Sequence, residues 1–241
     1  MRKGFITEVL FMRKEQIKSV LSQFSLFRDL DDQEIFKIVE ISIARDLKKN
    51  SHVFLQGDPL TNVYFISEGK VKIYKSDSSG REQIVSIAKA GDMFPHVGFF
   101  RKGEYPAFAE IIDNAKLVVV PIDHFEKVLI DNPHLCIKVF KVLGEKIIDL
   151  QNRLEEQILN NTYEQIIKLL VRLSENYGTE LEDGTVLLKS EFTNKDLANM
   201  IGTTRETVSR TLTKMKKEGL IEVTENGDMI LDTDALLDEI F

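Results

Sequence analysis

The spacing of apolar residues divides the chain into three stretches that predict different structures. From about residue 15 to 45, apolar and charged positions recur at helical spacing, and the acidic segment 31–34 is typical of a helix start. From about 46 to 125, short apolar runs alternate with turns, which predicts an antiparallel barrel or sandwich. After Pro121 the helical spacing returns. The pattern therefore predicts an α+β protein with strands and helices in separate segments.

Gly, Asp and Ser residues bound each predicted strand of the middle stretch. Ser67-Glu68-Gly69, for example, separates one apolar run from the next, and a second turn is predicted at 77–80. Turn residues at such intervals are typical of short antiparallel strands. The predicted strands are 53–55, 63–66, 71–74, 84–87 and 117–120.

A long helix is predicted after Asn132-Pro133, because Asn caps a helix and Pro fits its first turn. It extends to about Asn161, and a further helix is predicted over 163–177. Apolar residues recur in the long helix at alternating spacings of three and four. This pattern has two interpretations: the helix pairs with a second copy as a coiled coil, or it packs on its own barrel. The seam residues are Phe140, Leu143, Ile147, Leu150 and Leu154.

The segment after Phe192 carries the most specific pattern in the chain. Thr193 can cap a helix that Gly202 ends, and Thr203-Thr204 can cap a second helix over 205–218. A strand follows, Asn226-Gly227 is typical of a tight hairpin turn, and a second strand returns. Two helices joined by a Gly-containing turn and followed by a hairpin form a winged helix-turn-helix.

The second helix of this motif presents side chains suited to DNA. The N-terminal end of such a helix meets base edges, where Arg matches guanine and Glu accepts from the cytosine amino group. The residues predicted to read bases are Arg205, Glu206, Ser209 and Arg210. The residues predicted to bind phosphates are Thr193, Thr203, Thr204, Lys214, Lys216 and Lys217.

The overall charge does not decide for or against DNA binding. The 241-residue chain has a formal net charge of −7. A duplex meets one local surface, however, and the segment 205–217 carries five basic residues and one acidic residue. A basic helix on an acidic body is therefore predicted.

The segment Gly202-Thr203-Thr204-Arg205-Glu206-Thr207-Val208-Ser209-Arg210 resembles the recognition-helix motif of the Crp/Fnr superfamily of bacterial transcription regulators. Residues 63–74 resemble the family's barrel strand and Gly turn, and Gly91-Asp92 resembles its next turn. The resemblance covers about residues 20 to 232. It implies a jelly-roll sensor domain, a long dimerisation helix and a winged helix-turn-helix. It also implies a homodimer that binds double-stranded DNA and RNA polymerase. The implied domains are 1–130, 131–161 and 162–241.

The same resemblance narrows the expected DNA sequence. Within the family, Arg at the position of Arg205 accompanies a TGTGA-type half-site. Glu206, Ser209 and Arg210 are shared with the oxygen-responsive branch, whose half-site is TTGAT. Because the chain combines both features, the resemblance implies a GA core read by Glu206 and Arg210 in a palindrome. A TGTGA-like half-site is favoured over TTGAT, and activation over repression.

The barrel departs from the family at the ligand-binding positions. In the cyclic-AMP branch, a Gly-Glu pair serves the ribose and an Arg-Ser pair serves the cyclic phosphate. Here Pro95-His96 and Tyr105-Pro106 stand in those places. A cyclic phosphate would lose its charge partner, so cyclic-AMP control by the usual contacts is not expected. The cysteine cluster of the iron–sulfur branch is absent as well, and we predict no cofactor and no metal, with an unidentified effector.

The loop between the predicted strands 84–87 and 117–120 offers candidates for an effector pocket. Its aromatic and apolar side chains are compatible with a pocket for an apolar or aromatic effector, and also with plain barrel core. The candidates are Phe94, His96, Phe99, Phe100 and Tyr105. His96 and Cys136 are the candidates for sensing residues, although a packing role is the favoured interpretation for both.

Other classes of protein fit the sequence less well. No Gly-rich nucleotide loop, metal-ligand spacing or Ser-His-Asp arrangement indicates an enzyme. A cyclic-nucleotide-type regulatory subunit without DNA activity would account for the barrel and leave the winged motif unexplained. No apolar run predicts a membrane span, the N-terminus lacks a signal-peptide pattern, and one cysteine excludes an intrachain disulfide. We therefore expect a cytoplasmic protein.

Overall fold

The computed structural model describes residues 14–28, 30–100 and 102–240. The chain divides into two compact units, Met1–Ile147 and Ile148–Phe241, and the division falls inside its longest helix. The N-terminal segment 1–13, considered above for a signal peptide, lies outside the described residues. Within the described part, no helix combines the length and the apolar character that crossing a membrane requires.

The first unit places helices before and after an antiparallel sheet. Residues 14–21 are helical (α1), and a short 3-10 helix follows at Ser25–Phe27. The later elements are α2 (Asp32–Ile41), β1 (Ile43–Leu47), β2 (His52–Phe54), β3 (Asn62–Ser76), β4 (Glu82–Lys89), β5 (Met93–Phe94), β6 (Phe108–Pro121), α3 (Ile122–Asp131) and α4 (Pro133–Leu159), which continues into the second unit.

The two long strands β3 and β6 form the centre of this sheet. The strand order is β1-β6-β3-β4, β2 also pairs with β6, and β5 also pairs with β3. Every one of these pairings is antiparallel. The predicted α+β fold with a jelly-roll-like antiparallel sheet is confirmed.

The apolar run at the start of β3 is buried on both faces of the sheet. Val63 and Phe65 pack against the helices, in a cluster that includes Phe27 and Phe125. The alternate residues of the run belong to a second cluster inside the barrel. Successive side chains of a strand point to opposite faces, so a run with no polar member is required where both faces are covered.

The predicted turn at Ser67-Glu68-Gly69 is wrong, because β3 is one continuous strand. Its pairing with β6 shifts register on both sides of Glu68 and again after Lys70. Gly69 has φ +85°, and a Cβ there would collide with the backbone oxygen of Asn114 and with Ala115. Gly69 therefore permits a close approach of the two long strands β3 and β6. The local sequence around it is typical of a turn, which is why a turn was predicted.

The predicted helical stretch to residue 45 is also wrong at its end. β1 begins at Ile43, and Ile43 pairs with Val119 of β6. Its residues are mostly exposed, as expected for an edge strand with charged side chains. Hydrogen bonding to a strand far away in sequence overrides the local preference. The helix start at Asp31 is confirmed, since its carboxylate accepts from the Gln33 and Glu34 amides, each at 2.8 Å.

The second unit combines helices with a small antiparallel sheet. Its elements after α4 are α5 (Thr162–Tyr177), β7 (Thr179–Glu180), β8 (Val186–Leu188), α6 (Asn194–Ile201), α7 (Arg205–Lys217), β9 (Ile221–Val223), β10 (Met229–Leu231) and α8 (Thr233–Asp238). The strand order is β7-β8-β10-β9. The predicted hairpin β9–β10 is thus part of a larger sheet. The other two strands of that sheet, β7 and β8, were not predicted.

Candidate nucleic-acid interface

A capping box positions helix α6. The Thr193 hydroxyl accepts from the Asp196 amide (3.1 Å), and the Asp196 carboxylate accepts from the Thr193 amide (2.9 Å). The Thr193 hydroxyl also donates to that carboxylate at 2.6 Å. Two amide donors at the helix start are thereby satisfied. Thr193 acts as a cap in this structure, and its phosphate contact stays a prediction.

A left-handed glycine joins α6 to α7. Gly202 has φ 73° and ψ 31°, a conformation that other residues adopt at a cost. The Thr203 amide donates to the Ala198 carbonyl at 3.0 Å, which closes the end of α6. Thr204 then caps α7, its hydroxyl accepting from the Thr207 amide at 3.2 Å. The turn and the cap follow from residues within a few positions of one another.

The exposed face of α7 carries the four predicted base-reading residues. Each residue of a helix advances by about 100°. Arg205, Glu206, Ser209 and Arg210 therefore lie within a sector of about 140°, and all four are exposed. The opposite face is fixed by Val208 and Met215, which are fully buried. The structure thus brings the predicted set together on one solvent-facing surface.

Thr213 belongs to this surface although the sequence analysis did not name it. It follows Ser209 by one turn, is exposed, and falls near the middle of the same sector. Its hydroxyl donates to the Ser209 carbonyl at 2.8 Å, which leaves an oxygen lone pair available as an acceptor. The i, i+4 spacing within α7 was the signal that could have identified it.

The predicted phosphate-binding residues of α7 occupy different environments. Lys216 and Lys217 are exposed and fall within the sector of the base-reading residues. Lys214 is exposed as well, but its ammonium lies 4.3 Å from the centroid of the Tyr163 ring and 3.7 Å from the Glu218 carboxylate. Among the cap residues, Thr203 is half-buried and Thr204 is exposed.

The wing is held in place by its pairing with β8. β9 and β10 are joined at Asn226-Gly227, where Gly227 has φ 84°, as a tight hairpin turn requires. On its other side β10 pairs with β8, and Met229 lies opposite Leu188. The Asp228 carboxylate also accepts from the Ser190 amide at 2.8 Å. The hairpin is therefore held in place by β8 and by the segment that follows it.

Comparison with known protein families supports the arrangement. A cyclic nucleotide-binding domain model matches residues 44–132, and a Crp-like helix-turn-helix domain model matches residues 164–239. The chain belongs to the Crp/Fnr family of transcription regulators. Membership in the Crp/Fnr family makes it a regulator and not an enzyme.

Curated and solved relatives agree with this assignment. An anaerobic regulatory protein of Bacillus subtilis is 28% identical over 205 residues, which is 84% of this chain and 86% of that protein. A CRP-like cAMP-activated global transcriptional regulator of Mycobacterium tuberculosis is 25% identical over 90% of this chain and 96% of its own length. The structure of FixK2 from Bradyrhizobium japonicum superposes with a TM-score of 0.73 at 18% identity, covering 82% of this chain and 96% of that one.

Helix α4 of this Crp/Fnr chain carries an apolar stripe. Phe140, Ile147, Leu150 and Leu154 of the predicted seam are 67%, 56%, 54% and 61% exposed. Leu143 differs, because it is half-buried and packs against the core of the first unit. Further exposed apolar residues of α4, which the sequence analysis did not name, are Ile137, Ile148, Ile158 and Leu159.

The five candidate residues of the effector pocket occupy different environments in the barrel of this Crp/Fnr protein. Phe94 and Tyr105 are buried in the inner cluster, and Tyr105 stacks on Phe54 with ring centroids 3.7 Å apart. Phe99 packs against Phe125 in the other cluster (5.8 Å), while Phe100 is 57% exposed. For Phe94 and Tyr105, the plain-core interpretation describes the packing.

His96 is the candidate residue with an unusual environment. The pKa of its imidazole is lowered to about 4, chiefly by burial and next by the positive charge of Lys146, while the charge of Asp92 opposes the shift. The ring is therefore neutral at physiological pH. Cys136 lies near the start of α4 and is a free, half-buried thiol. Among the described residues, no three His, Cys, Asp or Glu side chains are grouped so that they could hold a metal ion.

Proposed function

We propose that this Crp/Fnr chain is a homodimeric activator that binds palindromic promoter sites. The observation that carries the proposal is the single exposed face of α7, on which Arg205, Glu206, Ser209 and Arg210 stand together. The N-terminal end of a recognition helix is the part that enters the major groove. An exposed Arg and Glu at that end provide the donor and acceptor that distinguish G·C from other pairs.

The combination of these side chains favours a GA core within each half-site. Arg210 donates to guanine, and Glu206 accepts from a cytosine amino group. The family resemblance at Arg205 favours TGTGA-like arms over TTGAT-like arms. Thr213 adds a hydroxyl on the same face. The positive residues at the end of α7 contribute affinity that does not depend on sequence.

The apolar stripe of α4 supports the dimer. Large exposed apolar surfaces in water mark contact sites, and i, i+3 and i, i+4 spacing on one helix suits a second helix. A twofold dimer places two recognition helices about 34 Å apart, one turn of DNA. RNA polymerase at a neighbouring promoter element is the expected protein partner, and the bacterial cytoplasm is the expected location because the target is chromosomal DNA.

A signal received by the barrel is proposed to set the spacing of the recognition helices through α4 and its junction with α5 at Asn160–Asn161. Relatives are named for anaerobic regulation and for activation by cAMP. For this chain we propose an effector that does not use the cyclic-AMP contacts. Tyr105, at the place of the family's phosphate-binding Arg, is buried and stacked on Phe54, and its hydroxyl is 3.1 Å from the Asn62 amide.

The test is selection from random duplexes by the purified protein at near-physiological salt. We expect a palindrome with TGTGA-like arms. Arg210→Gln should remove enrichment at the G·C pair of the GA core in each half-site. Arg81→Gln, which removes an exposed charge from the first unit, should leave the selected palindrome unchanged. Selection of one half-site without symmetry would contradict the dimer. No enrichment with cell metabolites present, under reducing and oxidising conditions, would contradict DNA binding.

A further inference from the structure

We infer that Lys214 is a positioning residue, which holds the recognition helix α7 against α5 through the Tyr163 ring, and that Lys216 and Lys217 meet the DNA phosphates. The inference rests on the proposed DNA binding for its second half only. It assigns different roles to three basic residues that lie within four positions of one another and that the sequence alone predicted to act alike.

The position of Lys214 on α7 separates it from the DNA-facing surface. Counting about 100° per residue from Arg205, the base-reading residues span about 0° to 140°. Lys216 and Lys217 fall at about 20° and 120°, inside that sector. Lys214 falls at about 180°, on the flank between the exposed sector and the buried side that holds Met215.

The contacts of Lys214 point toward the protein. Its ammonium lies over the Tyr163 ring, 4.3 Å from the centroid, in the geometry of a cation–π interaction. Tyr163 belongs to the first turn of α5, two residues after the Asn161 cap, whose side chain accepts from the Tyr163 amide at 2.9 Å. The contact therefore joins the last turns of the recognition helix to a rigidly capped helix start.

Carboxylates near the same ring balance the charge of Lys214. Glu218 lies 3.7 Å from its ammonium. Burial raises the pKa of the Tyr163 hydroxyl, and the negative charges of Glu239 and Glu218 raise it further. A phosphate brought to this place would meet those negative charges, so a local role for the ammonium is favoured over a phosphate contact.

The first test is hydrogen exchange of the full chain without DNA. Lys214→Gln removes the cation, and amide exchange in the peptide covering α7 should accelerate about two- to fivefold. Tyr163→Leu should have the same effect, the double variant should add nothing, and Tyr163→Phe, which keeps the ring, should resemble the wild type. Lys217→Gln is the matched control and should leave exchange unchanged. Additive effects of Lys214→Gln and Tyr163→Leu, or no effect of Lys214→Gln, would overturn the inference.

The second test is the salt dependence of binding to a duplex of roughly 30 base pairs with TGTGA arms. Loss of one phosphate contact per protomer lowers the slope of log K against log salt by about 1.8 for a dimer. We expect this loss for Lys216→Gln and Lys217→Gln. Lys214→Gln should weaken binding and keep the wild-type slope, and a loss of about 1.8 would overturn the inference. If the wild type bound neither this duplex nor a non-specific one, the proposed function would fail, while hydrogen exchange would still decide the role of Lys214.

Discussion

Leu150→Asp tests whether the exposed stripe of α4 is a dimer interface. Leu150 is 54% exposed in the protomer. Complete burial of a leucine stabilises by about 1.5–3 kcal/mol, so about 0.8–1.6 kcal/mol remains to be gained when a partner covers it. A symmetric dimer contains the residue twice, which gives about 1.6–3.2 kcal/mol. The substitution removes this gain and adds two carboxylates at the seam.

The expected result is a dimer dissociation constant about 15- to 200-fold weaker than that of the wild type, before charge repulsion is added. Sedimentation equilibrium over a range of protein concentrations measures it directly. Asn152→Asp is the matched control, because it adds the same charge to α4 two residues later, about 200° around the helix. Equal dissociation constants for the two variants would refute the assignment of the stripe to the interface.

Three further predictions concern the base-reading face of α7, the close approach of β3 to β6 at Gly69, and the His96 imidazole. Glu206→Ala should cost about 1–3 kcal/mol of discrimination at one base pair, and an unchanged selected sequence would contradict this. Gly69→Ala should lower the free energy of unfolding by at least about 2 kcal/mol, more than Gly80→Ala, whose Cβ meets open space at φ +77°. The pKa of His96 falls from 6.5 to about 4 in the folded protein, chiefly because of burial. The folded protein therefore favours the neutral imidazole. The resulting stability, about 3 kcal/mol at most, is present above pH 6.5 and is lost as the pH falls through 4. In His96→Gln, the free energy of unfolding should change less between pH 6.5 and pH 4 than in the wild type. The same pH dependence in both proteins would contradict this prediction.

The winged motif was predictable because its signals are local. Thr193 and Thr204 cap helices through atoms three residues away, and Gly202 needs only its own left-handed backbone. The exposed face of α7 follows from helical spacing alone once the helix is known. The apolar repeat of α4 was readable for the same reason, although burial of Leu143 depends on the core of the first unit.

The remaining features depend on partners far away in the chain. β3 continues through Gly69 because the backbone there lies close to Asn114 of β6. β1 forms because Ile43 pairs with Val119 of β6. Tyr105 is a core residue because Phe54 lies beneath it. No window of neighbouring residues contains these contacts, so periodicity and turn propensity could not predict them.

Local hydrogen bonds and helical spacing thus determined the DNA-binding motif, its caps and its exposed residues from the sequence alone. Only the tertiary structure decided that the Lys214 ammonium lies over an aromatic ring of another helix. Lys214 and Lys217 are alike in type and separated by three positions, and their difference lies in Tyr163, about fifty residues earlier in the chain. A side chain's role depends on what packing brings within a few ångströms of it, and that proximity exists only in the folded chain.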